Sequence, residues 1–187
     1  MNGPAWTELS DGALLLRPWR LEDVPRVTEI CSDPEISLWT RVPFPYKEEH
    51  AQTWIDQTTR DWDDRRHAAF AVTDAGSGEV VGSITLRFHE DYALQCSIGY
   101  WVAKEVRSRG IATSALRLVS RWALRELSLP RVQLVTDPEN APSQRVAEKA
   151  GFRREGLLRR YMELSDDRRN CVMFSLLAGE LEDENPG

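Results

Sequence analysis

One short stretch constrains this chain more than any other: Arg107-Ser108-Arg109-Gly110-Ile111-Ala112. Upstream lies an aromatic strand ending in Gly99-Tyr100-Trp101-Val102, and downstream apolar residues recur at helical spacing from about 111 to 127. A strand, a glycine turn and an amphipathic helix thus follow one another directly. The turn also carries chemical meaning. Glycine lets the backbone fold back with no Cβ in the way, so the N–H groups from Arg109 to Thr113 can converge on one anion. The start of the helix adds unpaired N–H groups and the positive end of its dipole, which together suit a phosphate. The plainer alternative is a strand-to-helix connection with an arginine on its rim.

The rest of the chain punctuates itself in the same alternating way. Leu14-Leu15-Leu16, bounded by Gly12 and Pro18, predicts a first strand. Leu21, Val24, Val27, Ile30 and Cys31 recur at helical spacing, and Ser32-Asp33-Pro34 predicts the end of that helix. A proline-rich aromatic loop through Trp39, Phe44 and Tyr46 is expected next, then a helix over 47–62. Strands are predicted over 68–73 and 80–88, joined by Ala75-Gly76-Ser77-Gly78, and over 94–102 after a turn at His89-Glu90-Asp91. The helix over 111–127 should bury Ile111, Ala115, Leu118, Val119, Trp122 and Ala123. On another of its faces Arg117, Arg121 and Arg125 lie four apart, either as a solvated surface or as a grip for RNA. A strand over 132–136, a short helix over 142–149 and strands near 152–160 and 171–177 complete the reading.

A second segment gives the glycine turn its context: Asp137-Pro138-Glu139-Asn140-Ala141-Pro142-Ser143-Gln144, running on to Lys149-Ala150-Gly151-Phe152. The pair of segments resembles the GNAT superfamily of N-acetyltransferases, in which Arg/Gln-x-x-Gly-x-Gly/Ala binds the pyrophosphate of acetyl-CoA. Here Arg107, Gly110 and Ala112 fit that pattern, followed by Asn140, Ser143, Lys149, Gly151 and Phe152. The Asn-x-x-Ser form, with the opening Leu14-Leu15-Leu16-Arg17-Pro18-Trp19 and Asp23, is similar to the RimJ/RimL-type branch, which includes acetyltransferases of ribosomal-protein N-termini. The likeness runs from about Leu14 to Leu177. It implies the GNAT fold: a mixed, mostly antiparallel sheet with a central splayed parallel strand pair and helices on both faces.

The resemblance also implies a division of labour. Acetyl-CoA would lie between the splayed strands, its pantetheine bonded to the backbone of Tyr100, Trp101 and Val102, with the Trp101 side chain serving the core. Its pyrophosphate would meet Arg107, Ser108, Arg109, Gly110, Ile111, Ala112 and Thr113. Asn140 is a helix cap by residue type and, by analogy, a contact to the pantetheine arm. Ser143 is either a backbone-satisfying residue of a first helical turn or the proton donor to the departing thiolate. Many family members use a tyrosine one turn further on, where this chain has Ala147. For the general base the expectation is Glu163, then Glu35, with a solvent relay as the alternative and Glu90 and Asp91 as solvated turn residues. Arg159 and Arg160 are expected beside the acceptor, where they would hold a carboxylate or simply stand exposed at a strand end. Trp39, Phe44 and Tyr46 would either cradle the acceptor or seat their loop.

Composition bounds the partners. At 187 residues, 41% hydrophobic and 29% charged, the chain is expected to form one soluble globular domain over 1–187, with an acidic, frayed tail over 180–187. A net charge of −6 argues against a general nucleic-acid binder and weighs against aminoacyl-tRNA as an alternative acyl donor. Cys31, Cys96 and Cys171 are widely spaced, which predicts buried free thiols, no metal site and a cytoplasmic location. The expected partners are therefore acetyl-CoA and a primary amine, either a protein N-terminus or a small molecule. A homodimer is allowed, no membrane segment is expected, and a non-catalytic CoA-binding module is the third alternative.

Overall fold

The computed structural model describes residues 7–64, 66–88, 95–164 and 167–181. Glu90, Asp91 and the tail beyond 181 lie outside them. Eight strands form one sheet: β1 (Leu9–Ser10), β2 (Leu14–Pro18), β3 (His67–Asp74), β4 (Val80–Phe88), β5 (Gln95–Val102), β6 (Arg131–Thr136), β7 (Arg153–Leu164) and β8 (Asp167–Leu177). Their order across the sheet is β1-β2-β3-β4-β5-β6-β8-β7, and among the described residues only the β5–β6 pair is parallel. β3 and β4 are covered on both faces and read as near-continuous apolar runs, whereas β6 alternates, burying Val132, Leu134 and Thr136.

The helices divide between the two faces. α1 (Val24–Cys31), α2 (Pro34–Trp39) and α3 (Glu48–Asp63) pack Val27, Ile30, Ile36 and Ile55 against Ala69 and Ala71 of β3. On the other face α4 (Ile111–Arg121) and α5 (Ala141–Lys149) bury Leu116, Val119 and Ala147 against Phe70, Ile84 and Phe174. The entry to α1 is pinned by a buried fork: Arg17 Nη1 and Nη2 each donate to Asp23 at 2.8 Å, and Asp23 also accepts the Arg20 N–H at 2.9 Å. Bidentate geometry and a third donor offset the desolvation of two buried charges.

The structure departs from the sequence expectation in four places. Ser32-Asp33-Pro34 ends α1 but also begins α2: the Asp33 side chain accepts the Glu35 N–H at 3.1 Å and Pro34 occupies the first turn. Glu35 therefore lies in the first turn of α2. The segment over 111–127 is α-helical only to Arg121 and then widens into a π-turn over Trp122–Glu126, closed by the Leu127 N–H on the Trp122 carbonyl at 3.1 Å. Leu116, not Leu118, is the fully buried leucine of α4. Lastly, β7 and β8 run well beyond the expected 152–160 and 171–177. β7 is an edge strand whose polar residues mask its periodicity, and it bulges between Leu158 and Met162, where Arg160 takes a φ of 51° and donates its N–H to the Asn170 side chain at 2.9 Å.

Candidate active site

The parallel pairing of β5 with β6 covers Gln95, Cys96 and Ser97 against Arg131, Val132 and Gln133, and stops there. β5 continues to Val102 with its far edge still paired to β4, while β6 leaves toward Thr136 beside β8. The two strands thus open like a V. A cavity of about 1480 Å³ occupies the opening, and the stretch from Ile98 to Val102 lines it. Small-molecule sites usually measure about 300–1,000 Å³, so this one has room for two reactants at once.

The glycine turn closes one side of the cavity. Ser108 (φ 63°) and Gly110 (φ 85°) both take the left-handed conformation, and Gly110 is the cap residue of α4. Having no side chain, Gly110 cannot cap the helix, so the first turn of α4, where Ile111, Ala112 and Thr113 line the cavity, has no side-chain cap for its N–H groups. A Cβ on Gly110 would meet nothing within 4 Å, so the space above it is open to an approaching group. Ser108, Gly110, Ile111, Ala112 and Thr113 line the cavity; Arg109 does not.

Arg107 departs from expectation. Its guanidinium is committed to protein: Nη1 to Glu35 at 2.6 Å, Nη2 to Asp33 at 2.7 Å and Nε to the Val102 carbonyl at 3.3 Å. Burial works to raise the Asp33 carboxyl, but the Glu35 N–H and Arg107 outweigh it and hold Asp33 below the ordinary carboxylate range. Arg107 thereby ties α2 to the end of β5 and the glycine turn.

At the other side of the V, α5 begins with Asn140, whose side-chain oxygen accepts the Ser143 N–H at 3.0 Å. The Ser143 hydroxyl lies 2.8 Å from the Tyr100 hydroxyl, and Asn140, Ser143 and Tyr100 all line the cavity. This pairing was invisible in sequence, where Tyr100 figured only through its backbone; strand alternation gives the face of Tyr100 but not its partner 43 residues on. Burial pushes the Tyr100 hydroxyl up to about 12, against a smaller opposing effect of Ser143. It therefore keeps its proton throughout the neutral range. On the same wall the Thr136 hydroxyl is buried and has no hydrogen-bond partner among the described residues, although Thr136 lines the cavity. A buried polar atom of this kind is costly unless something completes it.

The proposed base and anion-binding arginines are not brought to the site. Glu163 is exposed and 3.5 Å from Arg168; Met162 and Leu164, its neighbours along β7, line the cavity while Glu163 does not. Strand alternation sends it to the other face. Glu35 does line the cavity, but Arg107 holds its carboxylate. Arg159 and Arg160 are exposed and off the cavity wall. Trp39 and Tyr46 line the cavity, whereas Phe44 is exposed elsewhere. Trp101 packs partly into the core beside Trp19, with ring centroids 6.2 Å apart, and also lines the cavity. The three cysteines are buried and unpaired, and burial pushes the Cys31 thiol, on the cavity wall, up to about 12. Among the described residues no cluster of three metal-ligating side chains occurs and no helix is long and apolar enough to cross a membrane.

Comparison with known proteins agrees with this geometry. The family model described as an acetyltransferase (GNAT) domain matches residues 13–153. The chain belongs to the GNAT acetyltransferases. It is 31% identical over 173 residues to YdaF of Bacillus subtilis (strain 168), whose name assigns it provisionally to ribosomal N-acetylation, covering 91% of this chain and 92% of that protein. It is 27% identical over 168 residues to the uncharacterized N-acetyltransferase p20 of Bacillus licheniformis, covering 89% and 94%. Among solved structures it resembles Mycobacterium smegmatis RimJ in complex with CoA-disulfide, with a TM-score of 0.81 and 26% identity over 95% of this chain and 89% of that one.

Proposed function

We propose that this chain transfers the acetyl group of acetyl-CoA directly to a primary amine, in a complex holding both substrates. The carrying observation is the convergence, in one cavity, of three unfilled features: the open edge of β5, the uncapped start of α4, and the Tyr100–Ser143 hydroxyl pair. Each suits a part of acetyl-CoA. The N–H groups of Ile111, Ala112 and Thr113, with the dipole of α4, receive the pyrophosphate through the space that Gly110 keeps open. Ser108 shapes that turn, and Arg109 adds its backbone N–H and positive charge from outside the cavity. The backbone of Tyr100, Trp101 and Val102 pairs with the pantetheine as an added strand would, and Asn140 contacts the same arm. Arg107 acts by holding the turn in place and not by touching phosphate.

The chemistry is a balanced exchange. The neutral amine nitrogen forms a bond to the thioester carbonyl carbon, the carbon–sulfur bond breaks, the nitrogen loses a proton and the thiolate gains one. Ser143, backed by Tyr100, supplies the proton to sulfur. Neither Glu163 nor a free Glu35 is at hand as base, so water carries the amine's proton to solvent. A Cys31 thiol that stays protonated disfavours an acetyl-cysteine intermediate and supports direct attack. The acceptor is a protein N-terminus or a small amine, and the names of the relatives favour the former. Buried free thiols suit a cytoplasmic setting.

The test is release of free thiol from acetyl-CoA in the presence of N-terminal peptides, amino acids and polyamines. Thiol release that depends on both substrates is expected. Binding of acetyl-CoA without transfer to any amine would replace this reading with a non-catalytic CoA-binding module, and no binding at all would point to another acyl donor.

A further inference from the structure

β5 presents different residues to the two faces of the sheet. Cys96, Ile98 and Tyr100 face α4 and α5, where acetyl-CoA is proposed to bind; Ser97, Gly99 and Trp101 face α1–α3. On this second face Arg87 of β4 pairs in register with Ser97, and its guanidinium reaches over Gly99. A Cβ at Gly99 would lie 2.7 Å from Arg87 Nη1, so the glycine makes room for that charge.

Arg87 stands inside the cavity with no hydrogen bond or ion pair to a described residue. Arg87 is solvent-exposed, opening toward the recess, and the protein around it first, then neighbouring Arg41, lower its pKa. Arg41 lines the same recess and makes a 3.4 Å bond to the Glu163 carbonyl. Among the described residues, the nearby carboxylates are engaged elsewhere. Glu35 is held by Arg107; Asp137 accepts the Glu139 N–H at 2.9 Å and lies 3.6 Å from Arg169. Asp61, behind the cross-strand neighbour His67, serves His67 at 3.0 Å and Gln57 at 2.9 Å. Two solvent-exposed guanidinium groups thus share a recess in which no described carboxylate pairs with either, an arrangement suited to receiving an anion. That anion is not a phosphate of acetyl-CoA, because the start of α4 lies across β5 on the other face.

We propose that the acceptor is a primary amine that also carries a carboxylate, and that Arg87, with Arg41 beside it, binds this carboxylate over Gly99. The inference rests on the acetyltransferase reading above and narrows its acceptor. A planar, forked guanidinium suits a carboxylate through paired hydrogen bonds. The hydroxyls of Ser97 and Thr85, on the same face, leave a floor that is small and polar, as an amino acid or peptide backbone requires. The carboxylate has two sources, a free amino acid or an acidic residue near a peptide's N-terminus.

The experiment uses the full chain and two matched acceptor pairs: serine against serinamide, and amidated Ser-Glu-Glu-Leu against Ser-Gln-Gln-Leu. In at least one pair kcat/KM should favour the acid tenfold or more, and the pair that does so names the source. N-acetylated products should show the same preference in calorimetric binding to the enzyme–CoA complex, a readout independent of turnover. In Arg87→Gln the acid-to-amide ratio should collapse toward one, in Arg87→Lys part of it should survive, and acetyl-CoA affinity measured by calorimetry should be retained in both as evidence of an intact fold. Equal use of acids and amides by the native chain, or a preference that persists in Arg87→Gln, would overturn the inference and leave the acetyltransferase reading standing. Failure of the native chain to bind acetyl-CoA would remove both.

Discussion

Two glycines in this chain offer a matched experiment. Gly110 has φ 85° and Gly12 has φ 88°, and at neither would a Cβ meet any atom within 4 Å. Alanine at either position therefore adds the same left-handed backbone penalty, about 1–2 kcal/mol, without steric conflict in the protein itself. For a chain of this size each kcal/mol lowers the melting temperature by about 2–4 °C, so both variants should melt about 2–8 °C below the native protein. They should differ only toward ligand. Gly12 lies in the turn between β1 and β2, while Gly110 opens the proposed phosphate cradle. A methyl group there should cost one charged hydrogen bond or more, about 1.5–3 kcal/mol, or roughly ten- to hundredfold in acetyl-CoA Kd. The consequence appears in thermal unfolding with ligand as well. At a concentration one hundred times the native Kd, bound ligand adds about 2.7 kcal/mol, and a hundredfold weaker site would retain about 0.4 kcal/mol of it. Calorimetry and ligand-dependent melting of the two variants decide the matter. Native affinity in Gly110→Ala, or equal losses in Gly12→Ala and Gly110→Ala, would refute the placement of the pyrophosphate.

Other consequences follow from named contacts. Ser143→Ala should lower kcat by about 10²-fold while leaving acetyl-CoA Kd within a few-fold, and adding Tyr100→Phe should lower it little further, because the two hydroxyls act as a unit; independent losses that multiply would show separate roles. Arg107→Gln should cost about 1–2 kcal/mol in chemical unfolding, by leaving Asp33 and Glu35 unpaired, with less than a tenfold loss in acetyl-CoA affinity. Loss of binding at unchanged stability would restore Arg107 as a phosphate ligand. Arg131 first and Ser175 second hold the Glu155 carboxyl down to about 2 from its ordinary 4.5, so its contribution is complete above pH 4.5 and fades as pH falls toward 2. Allowing for solvent screening of this partly exposed pair, Glu155→Gln should cost about 1 kcal/mol at pH 7 and nearly nothing near pH 2; a pH-independent cost would mean that the carboxylate's charge is irrelevant.

What could be read in advance followed the reach of each signal. The glycine turn and the cap at Asn140 are local, set by residues within a few positions of one another, and both stand where the sequence placed them. The order of strands and helices was legible for the same reason, except for the two-residue β1 and the short α2, while polar residues concealed the full length of the edge strand β7. Side-chain partnerships across long separations were not legible. Arg107 fits a phosphate-binding pattern, yet its carboxylate partners come from α2, more than 70 residues away. Glu163 stands off the cavity wall that Met162 and Leu164 line, and a shift of one residue along a strand exchanges one face for the other. Arg87 drew no attention because nothing local distinguishes a solvated strand arginine from one aimed into a recess; Gly99, diagonal to it on β5, gains meaning only once β4 and β5 are paired.

The three-residue seam between β5 and β6 has a mechanical consequence. Main-chain hydrogen bonding splits the sheet into two antiparallel plates, β1–β5 and β6–β8, stitched together at one end and open at the other. A donor molecule lying along β5 would act as a removable batten, stiffening the open end while bound and releasing it when the spent carrier departs. Rigidity at the reacting centre would then be supplied by the substrate itself. Amide exchange along the free edges from Ile98 to Val102 should slow on binding, while the β2–β3 ladder, already closed, should register almost nothing.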